Sequence, residues 1–426
     1  MTIPNTEHMP ASDIPVAMWL VQSGLDDVSP ETLVTDFCSR TLEAGIPLHR
    51  VFVGMATLHP LVRARGYTWV EEGGLIGNDA MPHREPADEP EAWRTSPLRH
   101  MLANNVPEMR QRLVDPAPDF DFPVFAEFAG QGLTDWFAQA HNFGWTFDQG
   151  LFVTDRFAGI GMISSFTTAR PDGFSDDHLT RLRRLVPLLA LAVKAAVLTQ
   201  LSHDVTAAYL GGDAARRVLS GAIRRGMAQK IDAAILYADL RGFTALADRL
   251  AIEPLIETLN AYFDCLGPAI ESHGGQVLKF LGDGLLASFQ LEAGQDAGPV
   301  CRSVLAAADE ALAAVSQLNA AREQAGQPVL ALDIALHRGE VMYGNVGTGA
   351  RLDFTLIGPT VNEAARLENL CASLGRNLIV SASFAKAAGA GPGLASLGFH
   401  PLRGLAEPQE VFGRGASISS SAQYSR

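Results

Sequence analysis

Two aspartates about forty residues apart, each set in a glycine-bearing turn behind an apolar run, limit what this chain can fold into more than any other feature. The first lies in Ala233-Ala-Ile-Leu-Tyr-Ala-Asp239-Leu-Arg-Gly-Phe-Thr244, the second in Gln276-Val-Leu-Lys-Phe-Leu-Gly-Asp283-Gly-Leu-Leu-Ala-Ser-Phe289. Each apolar run reads as a buried strand that delivers a carboxylate to a loop. Two hard carboxylates brought together by adjacent strands suit Mg2+ or Mn2+, which take oxygen ligands and keep positions open for substrate phosphates. A third segment, Thr355-Leu-Ile-Gly-Pro-Thr-Val-Asn362-Glu-Ala-Ala-Arg366, supplies an amide and a guanidinium on one helical face. Together these describe a nucleotide-processing site.

Each piece also has a plainer explanation. An Asp before Gly at a strand end is commonly a turn or a helix cap. Gly282-Asp283-Gly284 is the chemistry of a tight hairpin between two apolar strands. Asn362 and Arg366 sit where a solvated helix face would place them. The plain explanations do not account for all three in this order, with Lys279 inside the strand before the second Asp. Lys279 alternates with apolar neighbours, which aims it at one face of a sheet.

Residues from about 231 to 413 resemble the catalytic domain of class III nucleotidyl cyclases. The matching strings are Tyr237-Ala-Asp239-Leu-Arg-Gly-Phe-Thr244, Lys279-Phe-Leu-Gly-Asp283-Gly, and Phe354-Thr355-Leu-Ile-Gly-Pro-Thr-Val-Asn362-Glu-Ala-Ala-Arg366-Leu-Glu368. The resemblance implies that Asp239 and Asp283 hold two Mg2+ or Mn2+ ions. It assigns Lys279 and Thr355 to the purine; adenine-selective members are similar in carrying Lys at the first position. Asn362 and Arg366 match the pair that orients the ribose and stabilises the pentavalent phosphorus. Arg403 is similar in position to a cation near the terminal phosphates. Pro359 departs from the family, which often has a polar residue there. The implied reaction is the conversion of ATP to cyclic AMP and pyrophosphate by a homodimer joined through this domain. Two other readings stay open: a silent nucleotide-binding module and a guanylate cyclase.

The chemistry agrees. The ribose 3′-oxygen attacks the α-phosphorus, and charge grows on the equatorial oxygens, where a fixed guanidinium stabilises it. Amides of Leu240, Arg241, Gly242 and Phe243, leading into a helix, are suited to cradle phosphates. Lys279 can donate to adenine N1 and the Thr355 hydroxyl can accept from the exocyclic amine. Guanine presents the opposite pattern.

Net charge of −14 and a pI near 5.2, with no compensating basic tract, argue against nucleic acid or an anionic membrane as a main partner. Cys38, Cys265, Cys301 and Cys371 show no metal or disulfide spacing and read as core thiols of a reducing cytosol. No signal peptide is visible. The apolar stretch Leu185 to Leu201 is short for a span and carries Lys194, so it reads as a buried helix of a cytoplasmic protein.

All five tryptophans precede residue 200. Helical signals at about 12–24 and 30–45 lead into strand-like runs at Arg50 to Ala56 and Gly66 to Val70, and Gly73 to Glu91 reads as a long loop. Further runs follow at Thr134 to Ala140, Gly150 to Thr154 and Ala158 to Phe166. Ser175 then N-caps a helix. This order resembles a GAF-type sensor: an antiparallel sheet with helices on one side and a Phe-Ser-Asp turn into a terminal helix. Its aromatics line a small-molecule pocket or simply fill a core. His59 and His141 read as ordinary polar or core residues.

The expected organisation is a GAF-like domain at 1–200, a glycine-jointed helical connector at 201–230, the cyclase domain at 231–413 and a disordered tail at 414–426. The cyclase domain is expected to be α+β and ferredoxin-like. Its strands are placed near 232–239, 276–281, 284–290, 331–338, 340–346, 353–357, 378–382, 397–402 and 410–413. Helices are placed near 243–272, 299–321 and 360–374.

Overall fold

The computed structural model describes residues 9–57, 59, 61–83, 88–114, 120–146, 159–389 and 393–414. The chain divides into two compact units, Met1–Ala208 and Tyr209–Arg426.

In the first unit, α1 (Ile14–Ser23) and α2 (Pro30–Glu43) precede β1 (Arg50–Ala56), β2 (Val62–Val70) and β3 (Gly74–Pro82). Then come α3 (Glu91–Arg94), α4 (Pro97–Ala103), β4 (Glu108–Arg112), α5 (Pro123–Gly130), β5 (Asp135–Thr146), β6 (Gly159–Thr168) and α6 (Asp176–Leu210). The strands form one antiparallel sheet in the order β3-β2-β1-β6-β5-β4. Alternation splits it into two apolar faces. Val51, Val53, Phe137 and Phe166 pack on α1, α2 and α6, whereas Trp136, Ala138 and Ile163 pack on α4 and α5. Helices therefore cover both faces rather than one, because both faces are apolar. The stretch from Gly73 to Glu91 is not a continuous loop: Gly74–Pro82 zips onto β2 as β3. The expected run at Gly150 to Thr154 lies outside the described residues, as does most of the expected tail.

Ser175 caps α6 as its chemistry suggests, its Oγ accepting from the His178 amide at 3.2 Å, while the His178 ring accepts from the Ser175 amide at 3.2 Å. Among the described residues, α6 is the one helix long and apolar enough to cross a membrane, and half of its apolar window is buried. The helix runs unbroken through 201–210, so the expected joint begins only at Gly211, whose φ of 81° ends it.

In the second unit, α7 (Gly212–Leu219) precedes β7 (Ala228–Arg241), α8 (Phe243–Ala247), α9 (Ile252–Ser272), β8 (Gln276–Leu281), β9 (Gly284–Leu291) and α10 (Ala297–Gln324). After these come β10 (Ala331–Gly347), β11 (Leu352–Ile357), α11 (Pro359–Glu368), α12 (Leu370–Leu374), β12 (Leu378–Ser381), α13 (Ala382–Ala388), β13 (Leu394–His400) and β14 (Gln409–Arg414). The sheet order is β13-β14-β12-β10-β7-β9-β8, with β11 paired to β10. The β7-α9-β8-β9-α10-β10 set is the expected ferredoxin-like βαββαβ unit. One face of β7 (Ala234, Leu236, Ala238, Leu240) packs on α9, α10 and α13. The other (Ala233, Ile235) packs on α7 and α11.

Three expected boundaries change. The helix placed at 243–272 is two, α8 and α9, separated by Asp248–Ala251 with Pro254 near the start of the second. The strands placed at 331–338 and 340–346 are one, because β10 stays paired to β7 through Gly339 opposite Ala233. The helix placed at 360–374 breaks at Asn369 into α11 and α12.

Candidate active site

The sheet register brings the two aspartates together. Ala238 of β7 pairs with Leu285 of β9, so Asp239 emerges one step on, beside the Gly282-Asp283 turn that joins β8 to β9. Gly282 takes φ 72° there, which glycine adopts without a Cβ penalty. Gly284 is small for a reason: a Cβ on it would lie 3.1 Å from Asp239 Oδ1. Asp283 acts on Asp239 at close range, and the Leu240 amide favours its charged form. Burial first, and the Asp283 charge second, push the Asp239 carboxyl up to about 6.

The acidic character extends beyond this pair. Asp333 of β10 stands directly opposite Asp239 and is buried, with a raised pKa caused mainly by desolvation. Arg241 grips it with two bonds of 2.8 and 2.5 Å and donates a third to the Arg376 carbonyl at 2.9 Å. Glu368, at the end of α11, is pushed up to about 7 by burial and then by Asp239. Tyr262 of α9 leaves a buried hydroxyl with no partner among the described groups.

Sequence reasoning did not single out Asp333, Glu368 or Tyr262. Asp333 had a readable signal, a carboxylate between Leu332 and Ile334 in an apolar strand. Of the expected phosphate cradle, the Leu240 amide serves Asp239, and the Arg241 guanidinium is committed to Asp333. Gly242, at φ 80°, opens α8 at Phe243.

The residues matched to the purine form a second cluster. Lys279 of β8 makes an ion pair with Asp353 of β11, both about half exposed. Thr355 lies two residues on from Asp353 and shares its face of β11. Asp353 is a further residue that the sequence reading missed, and that shared face with Thr355 was the available signal. Asn362 and Arg366 lie on α11, with Asn362 exposed and Arg366 half-buried. The Arg366 guanidinium faces the turn after exposed Arg403: a Cβ on Gly404 would lie 3.5 Å from its Nη2. Among the described residues, no hydrogen bond or ion pair joins Lys279, Thr355, Asn362, Arg366 or Arg403 to the Asp239–Asp283 pair.

Residues 227–387 match the family model described as the adenylate and guanylate cyclase catalytic domain. An adenylate cyclase of Anabaena cylindrica is 34% identical over 153 residues, covering 35% of this chain and 29% of that protein. Adenylate cyclase 1 of Rhizobium meliloti is 28% identical over 148 residues, covering 34% and 22% respectively. The solved structure of a bacterial light-regulated adenylyl cyclase is 32% identical, covering 44% of this chain and 91% of that one, with a TM-score of 0.38. The chain therefore spans less than a third of the length of these two curated relatives. Its C-terminal unit contains a class III nucleotidyl cyclase catalytic domain.

The raised carboxyls carry a sign that can be measured. A folded-state pKa of about 6 for Asp239 and about 7 for Glu368 means the folded chain holds protons that the unfolded chain releases. That contribution to stability is complete below about pH 4 and is lost as pH rises through 6 to 7. The cation-free protein is therefore expected to show a falling Tm between about pH 5 and 7.5, and Asp239→Asn should flatten part of the fall. An equally steep fall in the variant would remove Asp239 as its cause.

Proposed function

We propose that this chain is an adenylate cyclase that converts ATP to cyclic AMP and pyrophosphate at sites shared by two copies of the chain. The observation that carries the reading is Asp239, at the end of β7, beside Asp283 in the β8–β9 turn, with Lys279 four residues before the second aspartate. Among the described residues no set of three or more His, Cys, Asp or Glu side chains gathers into a metal site. A cation here would draw on two carboxylates and on substrate oxygens, a donor set that fits Mg2+ or Mn2+. Burial and the Asp283 charge, which raise the Asp239 pKa, are what a bound cation would offset. When bound, two such ions supply the charge that neutralises the triphosphate and makes the ribose hydroxyl acidic.

The remaining roles belong to the chain. Lys279 donates to adenine N1, and Thr355 accepts from the exocyclic amine. Asn362 orients the ribose, and Arg366 stabilises charge on the α-phosphate oxygens. Asp333 holds the Arg241 side chain down, leaving the Gly242 and Phe243 amides to meet phosphate. Arg403 is assigned to the terminal phosphates.

A shared site is supported by the lack, among the described residues, of any hydrogen bond or ion pair joining Lys279, Thr355, Asn362 or Arg366 to the Asp239–Asp283 pair. It is also supported by exposed apolar side chains on β8, β10 and β11, the elements around Lys279 and Thr355. Phe280 is 55% exposed, Val346 44% and Ile357 38%, a surface suited to a second copy. We read the first unit as a GAF-like input domain that biases how the catalytic domains meet, and the protein as cytoplasmic.

Incubating the purified chain with ATP or GTP and Mn2+, and identifying the product by mass, tests the activity. Cyclic AMP from ATP is expected; cyclic GMP as the main product would favour the guanylate reading, and no product the silent module. Asp239→Ala and Arg366→Ala chains, each inactive alone, are expected to regain activity when mixed, because each heterodimer forms one intact site. Failure to regain it, with subunit exchange shown directly, would place these residues in the same subunit's site.

A further inference from the structure

The first unit contains a cavity of about 380 Å³, within the roughly 300–1,000 Å³ range of small-molecule sites. It lies between the sheet and α4, on the face away from α1, α2 and α6. Its floor is made by small residues: Ala56 of β1 pairs with Ala64 of β2, and Gly54 lies two residues before Ala56. Ala140 and Gly161 extend this floor across β5 and β6. An aromatic ring already lies on it, since Phe52 ring carbons come within 3.0 Å of a Cβ placed on Gly54 and 2.9 Å of one placed on Gly66. Met81 and Met101 form adaptable walls.

The polar groups are few and unmet. Trp93 lines the cavity and its Nε1 atom is buried without a partner, whereas the His141 ring, also unpartnered at Nδ1, alternates with Ala140 and so turns to the opposite face. Native interiors rarely leave such atoms unpaired. Burial lowers the His141 pKa, so its ring is neutral at neutral pH. The Arg63 guanidinium is paired with Glu89 at 3.0 Å, and Arg65 alternates with Tyr67 onto the opposite face. Among the described residues, no bare charge therefore faces the cavity.

We infer that this cavity binds an uncharged, largely apolar organic molecule whose hydrogen-bond acceptor meets the Trp93 N–H. The small residues leave a slot beside the Phe52 ring, and the methionine walls accept varied outlines. The assignment of this molecule as the input signal rests on reading the first unit as a regulatory domain, whereas binding itself does not.

Titrating the full chain with prodan, a neutral planar naphthyl ketone, provides the test. Saturable binding at one site per chain is expected, with blue-shifted dye emission quenching tryptophan fluorescence. Ala140→Phe, which fills the slot, should weaken binding at least tenfold, with Ala64→Met as the alternative if that variant does not fold. Trp93→Phe keeps the wall but removes the donor, and should weaken binding by about threefold to tenfold. Absence of saturable binding, or binding that neither a filling variant nor Trp93→Phe alters, overturns the inference. Turnover recorded in the same titration separates the two readings: binding with unchanged cyclase activity keeps the site and removes the regulatory role.

Discussion

Replacing Asp239 or Asp283 with alanine is expected to lower cyclic AMP formation at least about a hundredfold, the scale seen when a transition-state charge partner is lost. The expectation follows from how the pair is built. Asp239, at the end of β7, lies beside Asp283 in the β8–β9 turn, with Gly284 clearing room for Asp239. The Leu240 amide favours the charged form of Asp239, and Asp333, opposite it, is neutralised by Arg241. Removing either aspartate should leave the fold intact, because neither side chain belongs to an apolar cluster and an ionised Asp239 is strained by Asp283. Steady-state turnover at saturating Mn2+, beside an unchanged or higher Tm, is the measurement. Near-normal turnover in either variant would sink the two-metal assignment. Unfolding in both would show instead that the pair is needed for the fold.

What could be read in the sequence follows the strength of local signals. The β7 run and the β8–β9 hairpin were legible because uninterrupted apolar stretches end in glycine turns, where periodicity and turn chemistry agree. The limits of β10 were not, because Gly339 looks like a break. Pairing with β7 along its whole length overrides that local weakness. The split between α8 and α9 was missed because the apolar pattern runs through both pieces, and only Pro254 hinted at a new start. The site divides in the same way. Residues carried by motif strings, such as Asp239, Asp283 and Lys279, could be named in advance. Asp333, Glu368 and Asp353 owe their importance to which strand or helix end lies beside them, and that is a property of register and packing. In the first unit, the small residues of β1, β2 and β5 are spread over some ninety positions and become a floor only when the strands align.

Exchanging the purine-reading pair, Lys279→Glu with Thr355→Cys, is expected to produce the largest change in specificity. Lys279 offers only donors, which suits adenine N1 and leaves guanine N1–H facing another donor. Glutamate reverses that pattern. Mismatched hydrogen bonding in a site built to pair is worth about 10⁴-fold in the strongest cases, so the ATP to GTP preference should fall by several orders of magnitude. Asp353 adds a condition. It holds the Lys279 ammonium in the substrate-free chain, and after the exchange it would face a glutamate of the same sign. The double variant is therefore expected to lose ATP use more fully than it gains GTP use. Adding Asp353→Asn should recover part of the GTP activity by removing that repulsion. The kcat/KM values for both nucleotides in the double and triple variants decide the matter. Unchanged ATP preference in the double variant would refute the base-reading roles. A triple variant no better on GTP than the double would confine Asp353 to the substrate-free state.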